Sequence, residues 1–220
     1  MSSGPRIVEV RQNILKRNDE VARTLRERFH QAGVFVVSLV SSPGSGKTMF
    51  LERTLTMLKE RGRRPAALVG DLATDNDAAR LARSQTPVKQ IVTGTLCHLE
   101  AAMIEKAIEG WNLDELDFLF IENVGNLVCP SSYDLGEDLR LVLLSVTEGE
   151  DKPLKYPTIF NTSDVAVVTK LDLAGAVEFD WPAASANIQG VRPGMRVMQV
   201  SAKSGRGMVE WLEFLVQAEA

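Results

Sequence analysis

The sequence has few cysteines and no long apolar run. Its 220 residues include only two cysteines and two histidines, and aromatic residues make up 6% of the chain. Two cysteines in a chain of this length do not predict a disulfide framework. No stretch approaches the roughly 20 apolar residues that a membrane-spanning helix needs, so we expect no insertion into a membrane.

An excess of positive charge is also missing. The chain has 25 Lys and Arg against 29 Asp and Glu, a net charge of −4. This balance argues against a protein held on nucleic acid by a general basic surface. The opening stretch MSSGPRIVEVRQN has no apolar core behind a basic start, so it does not read as a secretory signal. We therefore expect a cytoplasmic protein that binds no nucleic acid.

What is present is enough apolar sequence, 45% of the residues, for one α/β domain with a sizeable core. From Val34 onward, short apolar runs alternate with helical stretches. The predicted strands are 34–40, 65–71, 88–92, 117–122, 139–146, 165–169 and 196–202, and the predicted helices are 47–60, 75–84, 98–109, 183–189 and 207–218. The segments 129–138 and 148–163 are predicted to be loops. This alternation predicts a mostly parallel central sheet with helices on both faces.

The first 32 residues have a different pattern. Apolar residues recur there at helical spacing: Ile7, Val10, Ile14, Val21, Leu25 and Phe29. The spacing predicts one or two amphipathic helices, with a break near 16–19 in the second case. We expect residues 1–32 to form an N-terminal helical extension that packs on a main domain covering 33–220.

The segment SSPGSGKT, at 41–48, follows a predicted strand and opens a predicted helix, which is the context that a Walker A phosphate loop requires. Ser41 stands where the usual pattern has Gly. The predicted nucleotide-binding residues of this loop are Ser42, Pro43, Gly44, Ser45, Gly46, Lys47 and Thr48. Lys47 would reach the β- and γ-phosphates, and the Thr48 hydroxyl would bind Mg²⁺.

Two carboxylates are predicted to serve the same site. Asp71 and Glu122 each end a predicted strand, so both should lie at the carboxyl edge of the sheet, where ligands bind in open α/β folds. Either could hold Mg²⁺, directly or through water, or position the attacking water. We assign catalytic roles to Lys47, Asp71 and Glu122. Gly125 is placed to give its N–H to a γ-phosphate.

A predicted switch segment follows Asp71 and contains Thr74, Asp75 and Asp77. Aspartate is a common residue at helix N-termini. We therefore favour helix capping over metal binding for Asp75 and Asp77.

The motifs TKLD, at 169–172, and SAK, at 201–203, each follow a predicted strand and resemble the guanine-reading motifs of GTPases. They add Lys170, Asp172, Ser201, Ala202 and Lys203 to the predicted nucleotide-binding residues. The buried carboxylate of Asp172 would accept hydrogen bonds from the guanine ring N–H and exocyclic amine, a donor pair that adenine does not offer. Thr169 stands where Asn is commoner. The two motifs in this order favour GTP over ATP.

Cys97 and His98 are adjacent and precede a helix predicted to begin near Leu99. Cys129 lies in the loop that should respond to the γ-phosphate. Two thiols and an imidazole suit Zn²⁺ or Ni²⁺, and a helix start would favour the thiolate of Cys97. The alternative is that the cysteines are small buried hydrophobes. A metal on three ligands needs a fourth from water or from a second chain across a two-fold axis.

Together these motifs resemble one family, the HypB GTPases that assist nickel insertion during [NiFe]-hydrogenase maturation. The matching stretches cover nearly all of 34–220: VSSPGSGKT, GDLATDNDAAR, TGTLCHLEAAMI, FLFIENVGNLVCPSSYDLGE, LSVTEGEDKPLKYP and, more loosely, VTKLDL. The family belongs to the SIMIBI group of P-loop GTPases, which commonly dimerise around nucleotide.

The resemblance implies slow hydrolysis of GTP to GDP and phosphate, coupled to delivery of Ni²⁺. It implies a HypA-like metallochaperone partner, a homodimer promoted by GTP or metal, and the hydrogenase large subunit as an indirect partner. The family's metal site falls on Cys97, His98 and Cys129. Bound Zn²⁺ is also common in the family, and the sequence leaves open which of the two metals is resident.

The chain departs from some members of that family, and other functions stay open. It begins MSSGPRIVEV, without a Cys-rich motif or a His-rich stretch, so we expect no nickel storage. Alternatives are a urease nickel-insertion GTPase, which usually carries Cys-Pro-His, a chaperone of a cobalamin-dependent mutase, and a metal-binding scaffold whose GTPase is idle. Asp151 and Lys152 lie in a loop that the family pattern puts near nucleotide or dimer interface, although a solvated charge pair is the alternative.

Overall fold

The computed structural model describes residues 6–71 and 76–219, apart from the side chains of 6–11, 76 and 79. The predictions for Thr74 and Asp75 therefore lie outside the described residues. Asp77 is the second residue of a short helix, within its first turn, and it also lines the cleft described below. The capping role of Asp77 stays a prediction.

One seven-stranded sheet forms the centre of the molecule. Its strands are Phe35–Ser41 (β1), Pro65–Asp71 (β2), Val88–Val92 (β3), Phe118–Glu122 (β4), Leu139–Ser145 (β5), Val165–Thr169 (β6) and Arg196–Gln199 (β7). They lie in the order β3-β2-β4-β1-β5-β6-β7, and every neighbouring pair is parallel. The predicted parallel α/β fold is confirmed.

Helices cover both faces of this sheet, as predicted. They are Arg6–Gln31 (α1), Lys47–Glu60 (α2), Asn76–Leu81 (α3), Ala101–Ala107 (α4), Lys152–Lys155 (α5), Pro157–Asn161 (α6), Trp181–Val191 (α7) and Met208–Glu219 (α8). Strand side chains alternate between the faces, so in β1 Val37 and Leu39 pack with α2 and α8 while Val36 packs with α1 and α4.

The structure decides between the two alternatives for the N-terminal helix and shows that one loop prediction was wrong. The option of a break near 16–19 is not realised, because α1 runs continuously through Asn18, which is buried and hydrogen bonded to other elements. The predicted loop 148–163 contains α5 and α6. Pro153 and Pro157 lie in the first turns of these helices, where proline's missing N–H costs no hydrogen bond. Ile159 and Phe160 are then buried in the core.

The N-terminal helix α1 shares its core with the rest of the chain. Its residues Ala22, Leu25 and Phe29 are buried in one cluster with Leu68 of β2 and Ile104 of α4. We keep the division into an extension, 1–32, and a main domain, 33–220, as a proposal about sequence organisation.

Among the residues that the structure describes, no helix is both long and apolar enough to cross a membrane.

The buried hydrogen bond between α8 and α2 gives a test of the core. The indole Nε1 of Trp211 donates to Thr54 Oγ1 at 3.0 Å, and both residues are fully buried. Thr54→Val keeps the shape but leaves the indole N–H without a partner, so the free energy of unfolding should fall by about 1–3 kcal/mol. Urea unfolding followed by tryptophan fluorescence measures the loss.

The control is Thr56→Val on the same helix, where the hydroxyl donates to the Glu52 carbonyl and no other helix depends on it. This variant should change stability by less than about 0.5 kcal/mol. Equal losses in the two variants would show that the Trp211 contact contributes nothing of its own.

Candidate functional site

The phosphate loop joins β1 to α2 at the centre of the carboxyl edge of the sheet. Gly44 and Gly46 have φ angles of 74° and 91°, which are strained for residues with a side chain. Gly46 is the N-cap of α2. The loop therefore leads directly into a helix N-terminus, whose unpaired N–H groups and dipole favour an anion.

Lys47, the first residue of α2, is 7% exposed, and its Nζ donates to Ser41 Oγ at 2.8 Å. Burial lowers the pKa of Lys47, and the negative charge of Glu122 opposes that change. The Ser41 hydroxyl also contacts that of Ser45. The serine at the first motif position thus adds a hydroxyl that holds the lysine.

Glu122, at the end of β4, is 2% exposed. Its Oε1 accepts a hydrogen bond from Thr48 Oγ1 at 2.8 Å, whereas the buried Oε2 has no hydrogen-bond partner among the described residues. Asp71 lines the same cleft from the end of β2. A buried acceptor without a donor, beside a hydroxyl and a second carboxylate, fits a hard cation or a water molecule.

Burial raises the pKa of Glu122 to about 7. The charge of Lys47 and the hydrogen bond from Thr48 lower this pKa, while the charges of Asp77 and Asp71 add to the rise. A carboxyl group with a pKa near 7 can take up or release a proton at neutral pH. That property suits a group that accepts a proton from water.

The loops after β6 and β7 form the other end of the cleft. Lys170 has a φ of 60°, and its Nζ donates to the Gly44 carbonyl at 2.6 Å. Thr169 Oγ1 donates to the Ser45 carbonyl at 2.6 Å, so the TKLD segment contacts the phosphate loop directly. Asp172 is exposed instead of buried, and its Oδ1 accepts a hydrogen bond from Ser201 Oγ at 2.6 Å.

These segments enclose a cleft of about 650 Å³, a size common for ligand pockets. The predicted residues that line it are Pro43, Gly44, Gly46, Lys47, Thr48, Asp71, Glu122, Gly125, Lys170, Asp172, Ala202 and Lys203. Ser42, Ser45 and Ser201 are buried behind this lining. The structure thus brings the predicted nucleotide and magnesium residues to one place.

The two cysteines and His98 form a second cluster. The ligand atoms of Cys97, His98 and Cys129 all lie within 4.8 Å of one another, and the two Sγ atoms are 2.9 Å apart. Both ring nitrogens of His98 are buried without a hydrogen bond to any described residue. Buried unpaired nitrogens beside two thiols fit a transition metal, and this arrangement is the one that the sequence predicted.

The expected lowering of the Cys97 pKa by a helix start is wrong. Helix α4 begins at Ala101, four residues beyond Cys97, so the thiol gains nothing from the helix dipole. The pKa of the Cys97 thiol is instead raised, first by its hydrogen bond with Cys129 and then by burial. These contacts therefore favour the thiol form of Cys97 over its thiolate.

Two side chains that the sequence analysis did not select surround His98. The ring of Tyr133 lies against the imidazole, with centroids 4.0 Å apart and an interplanar angle of 32°. Glu100 Oε1 lies 3.5 Å from His98 Nε2. Packing against Tyr133 therefore orients the imidazole, and the carboxylate of Glu100 is close enough to influence it.

Two asparagines connect this cluster to the nucleotide cleft. Asn123 follows Glu122, and its Oδ1 accepts hydrogen bonds from the backbone N–H of Leu99 and of Val124. Asn126 Nδ2 donates to the Cys97 carbonyl at 3.2 Å. The chain from Glu122 towards Cys129 is thus bonded to the segment that contains Cys97 and His98.

Comparisons with known proteins agree with this geometry. The family described as CobW/HypB/UreG, nucleotide-binding domain, matches residues 35–199. The hydrogenase maturation factor HypB of Azotobacter vinelandii is 49% identical over 216 residues, covering 97% of this chain and 70% of its own. The chain belongs to the HypB family. It is a P-loop nucleotide-hydrolysing enzyme of that family.

Two solved HypB structures share this fold. HypB from Helicobacter pylori, crystallised in complex with nickel, is 40% identical with a TM-score of 0.87, over 92% of this chain and 95% of that one. HypB from Archaeoglobus fulgidus is 36% identical with a TM-score of 0.86, over 93% of this chain and 100% of that one.

The sequence analysis assigned no role to some residues of this HypB site. Tyr133, Asn123 and Asn126 lie in the stretch FLFIENVGNLVCPSSYDLGE, but nothing in that pattern pointed to their contacts, and Arg80 lines the cleft while paired with Glu52 at 2.9 Å. Their positions depend on which loops meet after folding. The prolines and glycines near these residues predicted loops at the carboxyl edge of the sheet, where functional residues are common. They did not predict which side chains would meet there.

The raised pKa of Glu122 predicts a dependence of stability on pH. The folded pKa is about 7 against an ordinary value of 4.5. Between these values the folded state binds more protons than the unfolded state, so stability should fall as the pH rises from about 4.5 to about 7. Glu122→Gln should remove this fall and raise the free energy of unfolding above pH 7 by up to about 3 kcal/mol.

Urea unfolding at pH 5 and pH 8, without nucleotide and with EDTA, measures this effect. Glu105→Gln, at an exposed position of α4, controls for the change in net charge. An unchanged difference between the two pH values in Glu122→Gln would contradict the assignment.

Proposed function

We propose that this protein is a GTP-hydrolysing metallochaperone that holds Ni²⁺ or Zn²⁺ and assists nickel insertion into a [NiFe]-hydrogenase. The observation that carries the proposal is the placement of the Cys97, His98 and Cys129 cluster on the same chain segments as the wall of the nucleotide cleft. Membership of the HypB family and the nickel complex of the H. pylori relative support the choice of metal and client.

In the proposed hydrolysis site, Lys47 and the backbone of the phosphate loop bind the β- and γ-phosphates. Thr48, Asp71 and Glu122 would hold Mg²⁺, which neutralises phosphate charge when bound. The buried Oε2 of Glu122, which has no hydrogen-bond partner among the described residues, supports a role in holding the ion or in accepting a proton from water. Gly125 supports the γ-phosphate position, since a Cβ there would lie 3.0 Å from Pro43 Cα in the phosphate loop.

We assign the TKLD and SAK segments to guanine recognition. Asp172 is held by Ser201, which leaves its second oxygen and its remaining lone pairs for a ligand. A Cβ atom built on Gly46 would lie 3.6 Å from Lys170 Cε. The stem of Lys170 therefore covers the end of the phosphate loop. Ala202 and Lys203 line the same cleft.

The cargo metal would be bound by two thiolates and one imidazole, with a proton released from each thiol on binding. A fourth ligand would come from water or from a second copy of the chain. Val128 and Leu96, next to the two cysteines, are 61% and 37% exposed. Exposed apolar side chains beside an incomplete ligand set support a homodimer that meets at this surface.

The bonds from Asn123 and Asn126 supply a physical route for the proposed metal switch. A γ-phosphate that draws Gly125 inward moves the chain that leads to Cys129, and Asn123 and Asn126 transmit the movement to Cys97 and His98. Linkage is reciprocal, so nucleotide and metal must change each other's affinity by the same factor. A HypA-like metallochaperone and, indirectly, the hydrogenase large subunit are the proposed partners, in the cytoplasm.

Guanine recognition is tested by Asp172→Asn. The new amide side chain would place its N–H₂ group against the ring N–H and exocyclic amine of guanine, which are both donors. Xanthine has a carbonyl in place of the exocyclic amine, and the same N–H₂ group can donate to that carbonyl. GTP affinity should fall at least about 100-fold and XTP affinity should rise. Competition binding and steady-state phosphate release with each nucleotide measure the exchange.

Asp180→Asn is the matched control, because Asp180 caps α7 and asparagine caps helices equally well. It should keep the preference for GTP. Unchanged selectivity in Asp172→Asn would reject the assigned guanine contact.

Lys47→Ala should abolish phosphate release, and release that persists in this variant would mean that the site does not hydrolyse nucleotide.

The metal site and its linkage are tested by Ni²⁺ titration of the wild type, Cys97→Ala and Cys129→Ala. Each replacement should weaken Ni²⁺ binding at least tenfold, since it removes one of three protein ligands. Wild-type affinity should differ between the GDP-bound protein and the protein bound to a non-hydrolysable GTP analogue. Equal Ni²⁺ affinity in the two nucleotide states would contradict the switch, and GDP binding controls for folding.

A further inference from the structure

Asn18 is a buried polar residue of α1 that neither the nucleotide cleft nor the metal ligand set uses. It is 7% exposed and lies in the middle of a helix, a position where a buried amide is unfavourable unless its hydrogen bonds are satisfied. Both ends of the amide are satisfied, and both partners are in other parts of the chain.

One partner belongs to the segment that follows Cys97 and His98. Asn18 Oδ1 accepts a hydrogen bond from the backbone N–H of Ala101 at 2.9 Å. Ala101 is the first residue of α4, and the N-cap Glu100 makes no side-chain capping bond. Asn18 therefore caps α4 from a different helix, three residues after His98, and satisfies an N–H that the helix itself leaves unpaired.

The other partner belongs to the segment that follows Cys129. Asn18 Nδ2 donates to the Asp134 carbonyl at 2.8 Å. Arg26, two turns along α1, makes an ion pair with the Asp134 carboxylate at 2.6 Å. The residue next to Asp134 is Tyr133, whose ring packs on His98. Helix α1 thus holds the backbone next to Tyr133, the residue whose ring packs on the His98 imidazole.

The imidazole depends on this backbone for its position. Its two ring nitrogens make no hydrogen bond to any residue within the described parts of the chain. The orientation of His98 is therefore set by packing against Tyr133, by its own backbone and by the Glu100 carboxylate 3.5 Å from Nε2. One carboxamide joins the two segments that carry Tyr133 and His98.

We propose that Asn18 is a positioning residue of the metal site, which it pre-organises by linking the Cys97–His98 segment to the Cys129 segment. This inference rests on the proposed metal-binding function. It makes α1 a structural part of the metal site and not only a cover for the sheet. Residues that orient metal ligands typically change metal affinity by 10- to 100-fold when they are replaced.

The test compares Asn18→Ala with Phe29→Leu by titration of the full chain with Ni²⁺ alone, in competition with a chelator of known affinity. Phe29 is fully buried in α1 but contacts neither ligand segment through a hydrogen bond, so Phe29→Leu is a control for general loss of stability. Asn18→Ala should weaken Ni²⁺ binding at least tenfold and should reduce or shift the thiolate-to-nickel absorption band. Its affinity for GDP should stay within about twofold of the wild type.

Asn18→Asp separates the two contacts, because it keeps an acceptor for Ala101 N–H but has no donor for the Asp134 carbonyl. It should share the loss of Ni²⁺ affinity. Wild-type Ni²⁺ affinity in Asn18→Ala or in Asn18→Asp would overturn the bridging role, and so would an equal loss in Phe29→Leu. If Cys97→Ala loses Ni²⁺ binding and Asn18→Ala keeps it, only the role of Asn18 is rejected. If Cys97→Ala also binds Ni²⁺ as tightly as the wild type, the metal site itself is rejected.

Discussion

The parallel pairing of the sheet is the constraint on which the rest of the structure depends. Because all seven strands point the same way, the loops that follow them meet at one edge. β1 lies in the centre, between β4 and β5, so its phosphate loop is surrounded by the ends of other strands. The end of β2 and the loops after β4, β6 and β7 then complete the cleft, and the loops after β3 and β4 contribute the thiols and the imidazole.

Burial of polar side chains at the carboxyl edge of the sheet determines which of them can bind a ligand or exchange a proton. Glu122 is almost fully buried, which raises its pKa to about 7, and one of its carboxylate oxygens accepts no hydrogen bond from any described residue. The two buried ring nitrogens of His98 likewise make no hydrogen bond within the part of the chain that the structure describes. Unpaired buried polar groups are costly in a folded protein, so such groups mark the positions where a ligand restores the missing interactions.

The two sites are connected by short lengths of chain and by asparagine side chains. Six residues separate Glu122 from Cys129, and Asn123 and Asn126 bond this segment to the one that holds Cys97. Asn18 adds a third link from α1. A carboxamide can donate and accept at once, which makes it suited to joining two backbones that have no direct hydrogen bonds to each other.

The sequence by itself determined the elements whose signals are local. Apolar runs predicted the strands, and three of the seven had the observed bounds, Pro65–Asp71, Val88–Val92 and Val165–Thr169. β2 and β6 are buried almost throughout and are therefore apolar, whereas β3 is an edge strand that is only partly buried. The phosphate loop was predictable because glycine spacing and the following helix are properties of eight adjacent residues. The guanine motifs were found because each is a short local pattern. The pairing of Cys97 and His98 with the distant Cys129 drew its support from the family resemblance.

Tertiary structure alone decided which distant residues meet. The continuity of α1, the two short helices within 148–163, the raised pKa of Cys97 and the contacts of Asn18 and Tyr133 depend on neighbours far away in the chain. Burial and hydrogen bonding are properties of the packed molecule. A buried asparagine in a helix reads from sequence as an ordinary polar residue, and only its partners at Ala101 and Asp134 show its position in the site.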